Sequence, residues 1–95
     1  MQSLTNLLTL HKGKIYVFLS DKTTGNTFLQ NAEAEGFTFT DGTKPTDRHW
    51  SSIIAVNADK TINYVGFVGH IAFQNAKFIG KQPLIRIDYR ELLNQ

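Results

Sequence analysis

One polar segment in the middle of the chain concentrates the side chains that could do chemistry. It runs from residue 43 to residue 50 and carries Lys44, Asp47, Arg48, His49 and Trp50. Trp and Arg often dominate the energetics of protein interfaces, and loops on a rigid scaffold commonly carry binding residues. The pattern therefore predicts a binding surface on this loop. A structural interpretation stays open beside it, in which Trp50 closes one end of the core and Asp47 caps a helical turn.

Two carboxylates stand where a helix normally disfavours them. Glu33 and Glu35 fall in the last turn of a predicted helix, where the helix macrodipole is negative. Either a cation from elsewhere in the fold neutralises them, or they form an acidic edge that a partner binds. Both residues are therefore candidates for a binding surface.

Basic side chains gather toward the C-terminus, although the net charge is only +2. The tract comprises Lys77, Lys81, Arg86 and Arg90, which stand against Asp88 and Glu91. A basic tract beside a sheet can attract phosphate groups. Arg86, in the middle of a predicted strand, is the binding candidate of this tract. A solvated face explains the same charges equally well.

The residue types that catalysis and metal binding need are not arranged for either task. The chain has no cysteine, which excludes disulfides, thiolate nucleophiles and cysteine-based zinc sites. His11, His49 and His70 are scattered, and no two of them have the spacing of helical zinc ligands. A glycine-rich phosphate loop and a serine nucleophile elbow are also absent. We therefore expect no enzymatic activity, no catalytic residue, no metal site and no cofactor.

Size and composition favour one small globular domain. The chain has 95 residues, of which 41% are apolar and 19% are charged. We treat residues 1–95 as a single domain and interpret residues 1–13, with their leucines, as a loose arm or a short helix. They lack the features of a secretory leader, and no stretch approaches the roughly 20 apolar residues of a membrane span. We expect a soluble, cytoplasmic protein with no membrane partner.

The elements that must position these side chains begin with a strand, a helix and a second strand between residues 14 and 39. Residues 15–19 are apolar at every position, which is typical of a strand in the middle of a sheet. Asp21 or Thr24 is suited to cap the start of the helix that follows. Gly36 is suited to end that helix in the left-handed conformation.

Strands predominate in the second half of the chain. Residues 52–65 form two β-branched runs around a polar break and predict a hairpin, and residues 70–73 predict a third strand of the same meander. Residues 84–89 alternate between apolar and polar and predict a further strand. Asp88 and Glu91 have the spacing of a capping box, so we expect a brief terminal helix. These elements predict an α+β fold: a mainly antiparallel sheet of five to six strands with one principal helix packed on one face.

Several of these segments together carry a resemblance to a known group of proteins. They are residues 28–29, 32–39, 41–42, Pro45, 61–66 and 85–89. In these segments the chain resembles small proteins of bacterial phages and conjugative elements. The resemblance spans roughly residues 14–89, and it assigns no role to any single residue. It implies a context in which small single domains inhibit host defences by binding a protein or a signalling nucleotide.

The function expected from these observations is a non-enzymatic binding protein. The resemblance favours an inhibitor of a host defence complex such as CRISPR-Cas, with a host protein or protein complex as the partner. The alternative is a protein that sequesters a small ligand such as a cyclic nucleotide, holding its phosphate through Lys44, Arg48 or Arg86. A nucleic-acid-binding module is the third interpretation. The sequence predicts neither the identity of the partner nor the oligomeric state.

Overall fold

A computed structural model describes residues 3–94 of the chain. From the N-terminus its elements are α1 (Leu4–Leu10), β1 (Lys14–Phe18), α2 (Lys22–Ala34), β2 (Thr38–Phe39), a single 3₁₀ turn (Pro45–Asp47), β3 (Ile53–Val56), β4 (Thr61–Tyr64), α3 (Gly66–Asn75), β5 (Phe78–Ile79), β6 (Gln82–Asp88) and α4 (Tyr89–Leu93). The fold is α+β, as the sequence predicted.

The strands form one six-stranded sheet in the order β2-β4-β3-β1-β6-β5. The central position predicted for β1 is confirmed, since β1 pairs with β3 on one side and with β6 on the other. Ile15 and Val17 of this strand are completely buried. A strand covered on both faces and both edges needs apolar side chains throughout, which accounts for its composition.

The sheet is mixed, so the prediction of a mainly antiparallel sheet is wrong. β1 runs parallel to β6 and β2 runs parallel to β4, whereas the other three pairings are antiparallel. The reason lies in the connections. α2 connects β1 to β2 and returns the chain to the end of the sheet where β1 begins, so β2 runs in the direction of β1 and parallel to β4. After β4, α3 leads to the short strand β5, which is antiparallel to β6, and the turn between β5 and β6 gives β6 the direction of β1.

The structure selects Asp21 from the two candidate caps of α2 and confirms the predicted end of the helix at Gly36. The Asp21 side chain caps the helix by accepting a 2.8 Å hydrogen bond from the Thr24 amide. At the other end Gly36 adopts a positive φ of 85°, which a side chain would disfavour. The Phe37 amide donates to the Ala32 carbonyl at 2.9 Å, which completes a Schellman ending.

The predicted hairpin is also confirmed, but the strand expected after it is not. β3 and β4 pair antiparallel with Val56 opposite Ile62. The chain from His70 to Phe73 lies inside the helix α3 and not in a third strand of a meander. Gly66, with a φ of 66°, turns the chain away from the sheet directly after β4. Short apolar runs do not distinguish a strand from a helix by periodicity alone, so the sequence was ambiguous here.

Both ends of the described part of the chain are helical and contribute to the core. Residues 1–13 were expected to be a loose arm or a short helix; residues 1 and 2 lie outside the described residues, and α1 is a short helix in the rest of this segment, with Leu4 and Leu7 buried. The brief terminal helix is confirmed as α4, whose first amides at Arg90 and Glu91 donate to the Asp88 carboxylate.

Helices cover both faces of the sheet, so the prediction of one principal helix on one face is wrong. α1, α2 and α4 pack on one face and form the larger core, in which the Phe28 and Tyr89 rings meet edge to face at 5.2 Å. On the other face α3 covers a smaller cluster, where Phe73 stacks on Phe18. None of the helices within residues 3–94 has both the length and the apolar character needed to cross a bilayer.

Candidate functional site

The loop between β2 and β3 carries the predicted binding residues and is fastened to α2. Pro45 is buried in the 3₁₀ turn. The Thr46 amide and hydroxyl both donate to Glu33 of α2, at 3.2 and 2.7 Å. These hydrogen bonds lower the pKa of the Glu33 carboxyl. Glu33 therefore holds the loop against the end of α2, a role that its position in the sequence did not suggest.

The charged side chain of Arg48 is bound by neighbouring residues of its own loop. Its guanidinium donates to the Asp41 carboxylate and to the Thr43 hydroxyl, and it lies 4.8 Å from the centre of the Phe39 ring. Hydrogen bonds from Thr43, together with the positive charge of Arg48, lower the pKa of the Asp41 carboxyl. The loop thus has its own ion pair and a cation–π contact, which fix its shape.

The end of the loop packs on the body of the protein. The half-buried Trp50 joins the larger core and lies directly against Gly25 of α2. The Tyr64 hydroxyl donates to the His49 carbonyl at 2.5 Å. These contacts leave the side chains of Lys44, Asp47 and His49 exposed to solvent. The loop is a rigid element that presents one cation, one anion and one imidazole.

Glu35 is not a free acidic edge either, because it caps α1. Its carboxylate accepts hydrogen bonds from the amides of Leu4 and Thr5, at 3.0 and 2.8 Å, and from the Thr5 hydroxyl at 2.8 Å. The Lys60 ammonium donates to the Glu35 carbonyl at 2.7 Å, at the negative end of α2. Both carboxylates accept hydrogen bonds within the chain, Glu35 from α1 and Glu33 from the loop, an arrangement that neither interpretation of the two glutamates included.

Arg86 lies apart from the loop residues, on the face of the sheet that α3 covers. Its guanidinium donates to the carbonyls of Ala72, Phe73 and Ala76 at the C-terminal end of α3. It also lies 5.7 Å from the centre of the Phe73 ring. Arg86 therefore holds the end of α3 on β6, and the structure does not group it with Lys44 or Arg48.

A surface that the sequence did not single out lies on the outer side of α3. Phe67, Val68 and Ile71 are 81, 78 and 48% exposed, whereas Phe73 on the same helix packs against the sheet. We call Phe67, Val68 and Ile71 the α3 face. The available signal was the near absence of polar residues, since His70 is the only polar side chain between Gly66 and Phe73. Residues 70–73 were predicted to form a strand, and a strand does not bring Phe67, Val68 and Ile71 together on one side.

Two open clefts lie elsewhere on the surface. One, of about 230 Å³, lies between α1, β6 and α4; its lining comprises Leu7, His11, Arg86, Ile87, Asp88, Glu91 and Leu92. The other, of about 310 Å³, lies at the turn between β3 and β4; its lining comprises Gly13, Lys14, Val56, Asn57, Ala58, Asp59 and Gln82. No group of three His, Asp or Glu side chains within residues 3–94 is placed to hold a metal ion.

No protein-family model matches the chain, and neither the curated proteins nor the solved structures include a significant match.

Proposed function

We propose that this chain is a non-enzymatic protein-binding domain whose principal contact surface is the α3 face. The observation that carries the proposal is the exposure of three apolar side chains, Phe67, Val68 and Ile71, on one side of one short helix. Scattered apolar residues on a surface are ordinary, but an exposed apolar cluster of this kind often marks an interaction site.

The geometry of the α3 face suits protein recognition. Phe67 and Ile71 are one helical turn apart, and Val68 lies beside them, so their side chains form a continuous ridge. Burying apolar surface stabilises a complex by roughly 25 cal/mol for each Å², and an exposed aromatic ring supplies the largest area. The helix is held on the sheet by Phe73 and Arg86, so the ridge is ordered before binding.

The loop that carries Lys44, Asp47 and His49 is a second candidate surface, separate from the α3 face. It is fastened to α2 through Glu33 and Trp50, on the side of the sheet opposite α3. The loop supplies exposed polar groups of both signs, whereas the α3 face supplies apolar area.

We propose further that the chain is an inhibitor that binds a host defence complex such as CRISPR-Cas in the cytoplasm. The resemblance to small proteins of phages and conjugative elements supports this setting. Sequestration of a nucleotide has less support, because the guanidinium groups of Arg48 and Arg86 are occupied within the chain. The same occupation removes two phosphate contacts from a nucleic-acid site.

The test compares capture of bacterial proteins by the purified chain and by matched surface variants. Phe67→Ser and Val68→Ser alter the α3 face, and Lys44→Ala and His49→Ala alter the exposed loop. Gln30→Ser, at an exposed position of α2, is the control. We expect a protein captured by the parent and by the control to be lost by the α3 variants, since truncation of a central contact typically costs about 2 kcal/mol or more.

Each variant must keep the far-ultraviolet circular dichroism and the melting temperature of the parent. Equal capture by the parent and by both α3 variants would show that this face is not the contact surface. Loss with Lys44→Ala and His49→Ala alone would place the principal site on the loop.

A further inference from the structure

We propose that the partner which covers the α3 face presents acidic side chains around an apolar centre. This inference rests on the proposed function and deepens it by assigning the chemistry of the partner. The charged residues in the segment of the chain that contains α3 are all of one sign.

The segment that contains the α3 face has no carboxylate. Residues 61–87 include His70, Lys77, Lys81 and Arg86, but neither aspartate nor glutamate; all eight acidic residues of the chain lie outside this segment. Lys77 and Lys81 are exposed just beyond the C-terminal end of the helix. The guanidinium of Arg86 occupies the helix carbonyls there, so the negative end of α3 does not offset the two lysines.

A second copy of the chain is a poor occupant of this surface. In a symmetric dimer the same patch meets itself, which would bring two cationic segments together without a compensating carboxylate. A contact between the α3 face of one copy and the acidic end of α2 on another would be head to tail. Such a contact need not form a closed ring of subunits. The carboxylates of Glu33 and Glu35 also already accept hydrogen bonds within the chain.

A lipid surface also fits less well than an acidic protein. Helices that lie in a membrane interface carry an apolar side and a strongly charged side along their length. In α3 the side opposite Phe67 and Val68 packs on the sheet, and no lysine or arginine lies between Gly66 and Asn75. The cations stand only beyond one end of the helix, which suits a partner with carboxylates beside its apolar residues.

The experiment uses the full chain and two synthetic helical peptides with the same leucine stripe. One peptide carries glutamates on its remaining sides and the other carries lysines. Binding is followed by the amide resonances of α3 and by titration calorimetry, for the parent and for Lys77→Glu/Lys81→Glu. The matched control is Lys12→Glu/Lys22→Glu, at exposed positions outside the α3 segment. Vesicles of phosphatidylcholine and phosphatidylglycerol and sedimentation of the chain alone test the other occupants.

We expect the acidic peptide to shift the resonances of Phe67, Val68 and Ile71 and to bind about tenfold more tightly than the basic one. The Lys77→Glu/Lys81→Glu variant should lose about tenfold in affinity, and the control variant should not. The preference should weaken as added salt shortens the range of the charges.

Three results would overturn the inference. They are equal or tighter binding of the basic peptide, binding of neither peptide at α3, and burial of the α3 face by vesicles or by a second copy. The same experiments distinguish failure of this inference from failure of the proposed function. If no peptide binds but Phe67→Ser still abolishes capture of a cellular protein, the α3 face remains the contact surface and only the acidic character of its partner is refuted.

Discussion

Trp50 lies against Gly25 so closely that a β-carbon on Gly25 would stand 2.6 Å from the Trp50 β-carbon. Gly25 is the fourth residue of α2, a position where glycine normally weakens a helix. Its presence has a steric reason, because only a residue without a side chain lets the indole reach the core. This contact closes the loop that carries Arg48 and His49.

We therefore expect Gly25→Ala to destabilise the protein, against the helix propensities. In an unhindered helix the change would stabilise by about 1 kcal/mol. Here the added methyl group displaces Trp50, and overpacking of this kind typically costs about 1–3 kcal/mol. Urea unfolding followed by tryptophan fluorescence measures the effect. Asn26→Ala, at the next and exposed position, is the control and should be neutral or stabilising. A more stable Gly25→Ala protein would refute the tight contact.

The capping of α1 by Glu35 leads to a second prediction. Glu35→Ala removes the acceptor of the Leu4 and Thr5 amides, and loss of a cap costs about 0.5–2 kcal/mol. Hydrogen exchange at the amides of α1 should accelerate, whereas the strands should change only as far as global stability falls. Gln30→Ala on the exposed side of α2 is the control. Unchanged protection of α1 would show that Leu4 and Leu7 hold this helix without the cap.

Three carboxylates make the stability of the fold sensitive to acid. Hydrogen bonds lower the pKa of Asp21, Glu33 and Asp41 below the ordinary values of 3.8 for Asp and 4.5 for Glu. Below those values the unfolded chain binds more protons than the folded one, so the free energy of unfolding falls as the pH falls. The contribution of these carboxylates to the free energy of unfolding is fully present well above pH 4.5. It is lost as the pH drops through the lowered pKa values of the folded state.

Urea unfolding across the acid range tests this dependence. Asp21→Asn keeps a side-chain oxygen for the cap but removes one titrating group, so its stability should depend less steeply on pH. Asn26→Ala, at an exposed position of α2 that carries no titrating group, is the comparison, and its slope should match the parent. A parent protein whose stability does not change on acidification would contradict the three hydrogen-bonded carboxylates.

Arg86 should matter for the order of α3 more than for the rest of the fold. Arg86→Ala removes the donor to the last carbonyls of α3 and the contact with the Phe73 ring, and each lost hydrogen bond costs about 1 kcal/mol. Hydrogen exchange should accelerate selectively at α3. Arg90→Ala is the control, since its ion pair with Asp21 is at the surface and typically contributes less than about 1 kcal/mol.

The order of α3 also affects partner binding in Arg86 variants. A loss of partner binding in Arg86→Ala would follow from disorder of the α3 face as readily as from loss of a direct contact. Arg86→Lys separates the two explanations, because it keeps the charge but cannot reproduce the forked hydrogen bonds. Equal α3 protection in the parent and in Arg86→Ala would show that the cap does not hold the helix.

Features that depend on residues close together in the chain were predictable from the sequence. The cap at Asp21, the left-handed Gly36, the turn between β3 and β4 and the start of α4 at Asp88 each involve groups within about five positions, so their signals are local. The central position of β1 was predictable for a related reason. A strand with no polar face must be covered on both faces, which favours a central position in a sheet.

The tertiary structure decided what depends on distant residues. Glu35 caps a helix 30 positions earlier, and Arg86 closes a helix 10 to 14 positions earlier, so neither role has a spacing that a sequence pattern reveals. The parallel pairing of β1 with β6 joins segments 70 positions apart, since Lys14 lies opposite Leu84. For the same reason the run from Gly66 to Phe73 became a helix with an exposed apolar side: the turn at Gly66 and the contact of Phe73 with Phe18 selected a conformation that the apolar run alone left open.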